Sequence, residues 1–385
     1  MISPAGRTAN VPMILDIHCH YTLTRQPATV ADRFSFEPAP AGATDRDRQP
    51  RPTDFDSCVS PRALRRWSWR VARRCLRLPS TAVELDHRLV AEYAQHLYAA
   101  GPIDRYVLLA FDAVHDDDGR CPPLPHTRHE LGSDIYTSNS LVRDLCRRHP
   151  QRFLFGASVH PYRPNAAACV EEVFAAGACL LKWIPLHQNI DLADARTLAV
   201  LRQCAALGLP VLVHCGDEFT LTTQRPAHRP VRPLLEALGA LRREGCMPCT
   251  IVPHAATPVS AFGDRDSHRL LLEALTGEFA DAPLYADIAA LVTWVKTSFL
   301  RQLARRQELH SKLLFGSDFP VPPLLHRLRR DLGRAYGPLK SVSSWPQRAA
   351  EVCRAFGFNE IVFRRAAELL PHVDFFAGRA GSRTA

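Results

Sequence analysis

Eight short apolar segments, each followed by a stretch with helical periodicity, constrain the fold of this chain more than any other feature. Each segment is rich in aliphatic or β-branched residues and ends in a polar or Pro/Gly turn. Because the segments are continuously apolar and do not alternate, they indicate a parallel sheet that is covered on both faces. We predict strands at 13–17, 106–111, 153–159, 179–184, 210–214, 250–254, 284–288 and 313–316.

A strand–helix alternation repeated eight times is typical of a closed (β/α)8 TIM barrel. An open doubly wound sheet is the competing fold, but it usually carries a Gly-rich turn after its first strand, where this chain has His18-Cys19-His20. The sequence therefore predicts an α/β protein, a (β/α)8 TIM barrel with a long insertion after the first strand. We predict helices at 85–100, 140–149, 166–176, 194–207, 230–244, 267–279, 296–309, 323–332, 347–355 and 360–370.

Two long connections interrupt this rhythm, at 21–84 and 112–138. Both follow a strand, so both should lie over the C-terminal mouth of the barrel, where active sites of this fold sit. We expect residues 21–84 to form a cap-like insertion that contributes substrate contacts. The barrel itself is predicted to span 13–375, between a disordered extension at 1–12 and a disordered tail at 376–385.

The composition is that of an ordinary globular protein, with 385 residues of which 46% are hydrophobic and 23% charged. No apolar run is long enough to span a bilayer, and no secretory leader is evident, so we expect a cytoplasmic protein. The 12 cysteines are scattered along the chain and are interpreted as free thiols. Cys246 and Cys249 form a lone CxxC without a second ligand pair, which favours two incidental cysteines.

The formal net charge is +9, and much of the excess lies at 46–77, where ten arginines are interleaved with Trp67 and Trp69. Such a mixture binds nucleic acid or a membrane surface in some proteins. We favour a solvated helical insertion, because no nucleic-acid-binding motif accompanies the run. We therefore expect a small-molecule substrate, no nucleic-acid partner and no transmembrane segment, and leave a homo-oligomer open.

Histidines stand at the end of the first predicted strand, in the stretch Asp16-Ile-His18-Cys-His20. Side chains of a strand alternate between faces, so His18 and His20 should point together into the barrel mouth, while Cys19 points towards the helices. Two imidazoles so placed can chelate one ion.

Further polar groups occupy other strand ends: Lys182, His214, His254 and Asp318. Each has an ordinary explanation by itself, since a strand-end His is often only a hydrogen-bonded polar group and Asp318 could cap a turn. The ends of barrel strands converge, however, and imidazole and carboxylate are the ligands that zinc and similar ions take. The combination predicts one metal site at the mouth.

The motifs DIHCH, LLKWIP, LVHCG, VPHAA and FGSDFP follow one another in order between residues 16 and 318. In this the sequence resembles the amidohydrolase superfamily, and within it the amidohydrolase-related branch that includes aminocarboxymuconate-semialdehyde decarboxylase. The resemblance implies metal ligation by His18, His20, His214 and Asp318, with His254 near the reacting group. The Arg-rich insertion departs from the family pattern and leaves the substrate class open.

We predict a metal-dependent hydrolase that cleaves an amide, lactone or related carbonyl bond of a small anionic substrate with a metal-activated water. Asp318 would take the proton of that water, and His254 would polarise the carbonyl or protonate the leaving group. Lys182, Arg163 and Trp183 are the expected substrate-binding residues. Non-oxidative decarboxylation of an unsaturated or aromatic acid is the alternative within the family, and a non-enzymatic barrel with an Arg-rich binding surface is the alternative of another class.

The expected cofactor is one divalent metal ion, zinc by preference. Lys182 decides the count, because in some amidohydrolases this lysine is carboxylated and bridges two ions. No second carboxylate for a bridging site is evident, so we favour one ion, with Lys182 turned towards the substrate. A binuclear site with carboxylated Lys182 is the alternative.

Overall fold

The computed structural model describes residues 13–28, 49–79, 82–260, 263–293 and 295–380. The predicted extension at 1–12 therefore lies outside the described residues, as does the tail beyond 380. Within the predicted tail, Ala377–Ala380 form a short helix.

Eleven strands are described, and the eight that the sequence predicts form one parallel sheet in the order β1-β4-β6-β7-β8-β9-β10-β11. The last strand returns to the first through three backbone hydrogen bonds, of which Asp318 N–H to the His18 carbonyl is 2.8 Å long. This closure confirms the predicted TIM barrel. The strands are β1 (Leu15–His20), β2 (Arg25–Pro27), β3 (Phe55–Val59), β4 (Arg105–Leu109), β5 (Ile135–Thr137), β6 (Phe153–Ala157), β7 (Ala178–Trp183), β8 (Val211–Val213), β9 (Thr250–Val252), β10 (Leu284–Asp287) and β11 (Leu313–Leu314).

The helices surround the sheet and end where the sequence suggests, for example at Gly208, whose φ of 63° accommodates the left-handed end of its helix. The predicted helix at 296–309 ends early, because Arg306 leaves the helical region and a 3₁₀ segment follows. The α-helices are α1 (Pro61–Leu64), α2 (Trp67–Cys75), α3 (Ala82–Leu97), α4 (Asn139–Arg148), α5 (Ala166–Ala175), α6 (Pro185–Gln188), α7 (Ala195–Leu207), α8 (Arg232–Arg243), α9 (Arg265–Thr276), α10 (Thr297–Arg305), α11 (Arg329–Leu332), α12 (Tyr336–Ser341), α13 (Trp345–Ala355), α14 (Glu360–Arg364), α15 (Ala366–Leu369) and α16 (Ala377–Ala380).

A second, three-stranded antiparallel sheet joins the two long connections, with β3 between β2 and β5. The strands β2 and β3 belong to the insertion after β1, and β5 belongs to the connection after β4. At its centre the buried Ser57 hydroxyl bonds the Leu23 and Tyr136 carbonyls. The sequence analysis missed these strands, because such short segments give almost no periodicity.

The apolar core has two layers. One fills the barrel interior and includes Leu15, Ile17, Val107 and Leu180, and the larger one lies between sheet and helices. All 12 cysteines are free. Among the described helices, none combines the length and apolar character needed to cross a membrane.

Candidate metal centre

A bulge in β1 sets the direction of the two strand-one histidines. Between the pairs Asp16–Tyr106 and Cys19–Leu108, two residues of β1 lie opposite one residue of β4. Ile17 therefore stays in the barrel interior, while His18 and His20 both face the cavity at the mouth. The two imidazoles do point in the same direction. Strict alternation of side chains, however, would have placed Ile17 on the opposite face of the strand from both histidines.

Asp318 completes a compact group of donor atoms. Its Oδ1 lies 3.1 Å from His20 Nε2 and 3.4 Å from His18 Nε2. The residue adopts a left-handed backbone with φ of 60°, a conformation that Asp tolerates better than most residues. Asp16, buried behind the site, accepts hydrogen bonds from the backbone N–H groups of His18 and Ser317, which ties β1 to the turn that carries Asp318.

The ionisation states of this group suit a cation. Burial lowers the pKa of His18 well below its ordinary value, and the Lys182 charge lowers it further, so the imidazole is neutral. Burial alone would raise the pKa of Asp318, but His18, His20 and Lys182 outweigh it and the net pKa is lowered. Two imidazole nitrogens and one carboxylate oxygen fit zinc or another first-row divalent ion.

Asp287, at the end of β10, is a site residue that the sequence analysis missed. Its Oδ2 lies 2.8 Å from His18 Nδ1, and it therefore holds the ring in the tautomer that leaves Nε2 free for a metal. Its Oδ1 accepts the backbone N–H groups of His254 and Ala289. The signal was available, because Asp287 is the one acidic residue within the seventh predicted strand, 284–288.

His254 follows β9 in a strained turn, in which His254, Ala255 and Ala256 all have positive φ angles. Its Nδ1 lies 3.0 Å from the Ala289 carbonyl, and Nδ1 therefore carries the proton. Nε2 then presents its lone pair 3.9 Å from the second oxygen of Asp318. Burial, followed by the Lys296 charge, lowers the pKa of His254 well below its ordinary value.

His214, at the end of β8, reaches the same cavity but lies outside the compact donor group. Its ring centroid is 5.4 Å from that of His254, and its Nε2 lies 3.3 Å from the Asp217 carbonyl and 3.6 Å from Glu218 Oε2. The structure thus brings together three of the four predicted ligands. Glu218, also absent from the sequence analysis, lines the cavity beside His214.

Lys182 lies in the barrel interior with its Nζ 3.3 Å from His18 Nε2, the atom that a metal would use. Burial lowers its pKa to about 8, although Asp287 and Asp318 oppose the effect. A divalent cation about 4 Å from an ammonium group would repel it by about 8 kcal/mol at an effective dielectric constant of about 20. Metal binding therefore requires one of three changes at Lys182. The ammonium loses its proton, the side chain becomes carboxylated, or the side chain rotates away from His18 into the cavity.

Two further predicted residues do not reach the cavity. Arg163 is buried against Asp112, with its Nη2 2.5 Å from Asp112 Oδ1. Trp183 points from β7 into the helix layer, and its indole N–H donates to the Val159 carbonyl. Alternation along β7 explains this, since Lys182 and Trp183 are neighbours and only one of them can face the barrel interior. Neither residue lines the cavity, so neither is placed to bind a substrate there.

Lys296, just before α10, is a second buried cation that the sequence analysis missed. Burial lowers its pKa, while Asp318 and Glu218 raise it. Its charge in turn lowers the pKa of both His214 and His254. It therefore helps to keep these imidazoles neutral.

The cavity above these groups has a volume of about 230 Å³ and mostly apolar walls. One wall comes from residues 55–76, here called the wall segment, through Val59, Ala63, Trp69, Ala72 and Leu76. Further walls come from α3, from the loop after β8 and from the turn after β11, and also from Phe111, Ile135 and Ile184. The histidines, Lys182 and Asp318 lie at the floor, where the barrel strands end, while Ser68, Glu218 and Thr220 add polar groups to the walls.

A comparison with protein families identifies the family to which this barrel belongs. The family model described as Amidohydrolase matches residues 127–357, which is more than half of the chain. The chain belongs to the amidohydrolase family. The match includes His214, His254, Asp287 and Asp318, whereas His18, His20 and the wall segment precede it. No curated protein matches the chain in sequence.

A solved structure shows the same fold. An uncharacterized TIM-barrel protein from Bordetella bronchiseptica is 15% identical, with a TM-score of 0.51 over 96% of this chain and 99% of its own. More distant matches include a probable 2-pyrone-4,6-dicarboxylic acid hydrolase from Acinetobacter baumannii (14% identity, TM-score 0.43, 94% and 99% covered). Another is a 5-carboxyvanillate decarboxylase from Sphingomonas paucimobilis (12% identity, TM-score 0.43, 92% and 99% covered). At 15% identity, the likeness to the Bordetella protein concerns the fold alone.

Proposed function

We propose that this amidohydrolase is a metal-dependent hydrolase that cleaves an amide, lactone or related carbonyl bond of a small anionic substrate. The observation that carries the proposal is the convergence of His18 Nε2, His20 Nε2 and Asp318 Oδ1 on the cavity floor. A divalent ion held there would act as a Lewis acid towards water and towards a carbonyl oxygen. His214 is proposed as a further ligand, reached by a small movement of its ring.

The residues around this group divide the proton transfers between them. Asp318 enters the reaction ionised, so it can accept the proton of the water, and it directs one oxygen to the ligand imidazoles and the other towards His254. His254 enters the reaction neutral, with its proton on Nδ1 and the lone pair of Nε2 facing Asp318. It must therefore first accept a proton at Nε2, which originates from water, before it delivers that proton to the leaving group.

The cavity favours a small substrate with an apolar body and one acidic group. Its volume of about 230 Å³ and its apolar walls suit a ring or short chain. Lys182 lies on the cavity lining, and once displaced from His18 its side-chain nitrogen can donate a hydrogen bond to a carboxylate. We propose that the wall segment acts as a cap and determines which apolar part of a substrate fits the cavity.

Decarboxylation is the second candidate, and the apolar walls are the observation that favours it. Carbon dioxide leaves as a neutral molecule, so the charge of the compact carboxylate passes into the remaining substrate, and poorly solvated surroundings promote such a step. Lys182 would then orient the carboxylate that becomes carbon dioxide, and His254, once it has accepted a proton from water at Nε2, would deliver that proton to the carbon in its place.

Metal analysis followed by product analysis tests these proposals. Protein purified without chelators should contain about one equivalent of a divalent metal, and chelation should abolish activity. A panel of lactones, amides and aromatic acids should then give acid release without carbon dioxide. Carbon dioxide from an aromatic acid would support the second candidate, and activity that survives complete metal removal would refute both. A metal-free protein inert to the whole panel would favour a non-enzymatic barrel with an Arg-rich binding surface.

A further inference from the structure

The outward face of α2 combines exposed apolar and cationic side chains. Trp67, Arg70, Val71 and Arg74 follow a helical spacing, so they share one face, and all four are exposed. Trp67 is 55% exposed and Val71 41%. Leu64, in the preceding turn, is 38% exposed and continues the apolar surface. Solvent-facing helix surfaces rarely concentrate large apolar side chains in this way.

The charge of this face is not compensated locally. The stretch from 57 to 83 contains no Asp or Glu. Arg62 is used internally, since it forms a buried ion pair with Asp134, but Arg70 and Arg74 pair with no carboxylate in the part of the chain that the structure describes. The face therefore projects net positive charge around its apolar centre.

This face adjoins the mouth of the active-site cavity. The opposite side of α2 lines the cavity through Ser68, Trp69 and Ala72. Val71 both lines the cavity and reaches solvent, so the cavity opens beside the exposed face. The ring of Trp67 lies 4.5 Å from that of Phe219, another residue of the cavity wall.

We propose that the outward face of α1 and α2 binds the surface of an anionic membrane. Arginines attract acidic headgroups, while Trp67, Leu64 and Val71 lose contact with water as they enter the headgroup region. A nucleic acid would use the arginines but would gain little from the two aliphatic residues. The contact is peripheral, and it places the cavity mouth at the membrane surface, where amphiphilic substrates collect. It stands independently of the reaction proposed above.

Vesicle sedimentation with the full chain tests this proposal. The protein should pellet with vesicles that contain about one third phosphatidylserine, should remain in solution with pure phosphatidylcholine, and should release in high salt. The pair Arg70→Gln and Arg74→Gln should weaken binding about 25-fold, at about fivefold per arginine. The pair Leu64→Ser and Trp67→Ser should weaken it to a similar degree. The matched control is Arg243→Gln with Arg305→Gln, which removes the same charge from the far ends of α8 and α10.

Equal binding to both vesicle types, or equal loss in the control pair, would overturn the proposal. Weaker vesicle binding in the arginine pair alone would also overturn it, since the apolar residues would then contribute nothing to membrane binding. Tight binding to a single-stranded oligonucleotide without vesicle binding would assign the face to nucleic acid. Metal content and the thermal unfolding midpoint of each variant show that the barrel is intact.

Discussion

The floor and the walls of the active-site cavity are built in different ways. The floor consists of strand-end side chains whose backbone and rings are fixed by hydrogen bonds, as when Asp287 holds His18 and positions His254. The walls consist of apolar side chains from the long connections, held by packing and by the small three-stranded sheet. The barrel thus dictates where the chemistry occurs, while the insertions decide what is admitted to it. Variants of the two regions should affect different kinetic constants.

The largest effect is expected for Asp318→Asn on the floor. Asn tolerates the left-handed backbone, so the fold should persist, but the site loses its anionic ligand and its proton acceptor. We expect kcat to fall about 10⁴-fold together with metal content. Turnover assays and metal analysis check this, with the exposed Asp331→Asn as the control. A variant with full metal and nearly normal kcat would remove Asp318 from the proposed mechanism.

His254→Ala should separate metal binding from proton transfer. The ring lies outside the group of His18, His20 and Asp318, so metal content should stay near the parent value while kcat falls about 10²- to 10³-fold. The exposed His326→Ala provides the control. Loss of metal in His254→Ala would instead point to a second ion, for which His254 and Asp287 would be ligands.

The barrel and most of the floor could be predicted from the sequence, because both rest on local rules. Apolar strands, helical periods and strand-end polar residues repeat eight times, and their convergence follows from closure of the sheet. The bulge in β1 could not be predicted, since it depends on register against β4. Nor could the ion pair that removes Arg163 from the cavity, because Asp112 is far away in sequence. For the walls, the sequence indicated only which connections should lie over the mouth. It did not indicate their strands or contacts, because packing between two insertions leaves no periodic signal.

Lys182 links floor and cavity, and its proton should compete with the metal. Its pKa of about 8 means that the ammonium is present below pH 8 and is lost as the pH rises through that value. Metal affinity should therefore increase about tenfold per pH unit up to about pH 8 and then level off. In Lys182→Gln this slope should disappear and affinity near pH 7 should be higher, whereas Lys340→Gln should behave as the parent. Metal loss in Lys182→Gln, or activation by bicarbonate, would instead establish a carboxylated bridging lysine.

The same Lys182→Gln variant tests the proposed anionic substrate. A hydrogen bond to a charged group contributes enough free energy to change a binding constant about tenfold or more. The KM for an acidic substrate should rise by at least that factor, while the KM for its neutral ester should hardly change. Equal changes in KM for the acid and the ester would mean that Lys182 influences only the metal site on the floor and does not contact the substrate carboxylate.

The smallest effect is expected in the wall segment. Trp69 lines the cavity from α2, whereas the proposed metal site lies at the strand ends, so Trp69→Ala should remove apolar contact with the substrate and leave the floor intact. We expect KM to rise about threefold to tenfold, with metal content unchanged and kcat nearly so. Trp67→Ala is the matched control, because it removes an indole from the opposite face of the same helix. If Trp69→Ala lowered kcat as strongly as His254→Ala, the walls would take part in the chemistry, and the division between floor and walls would fail.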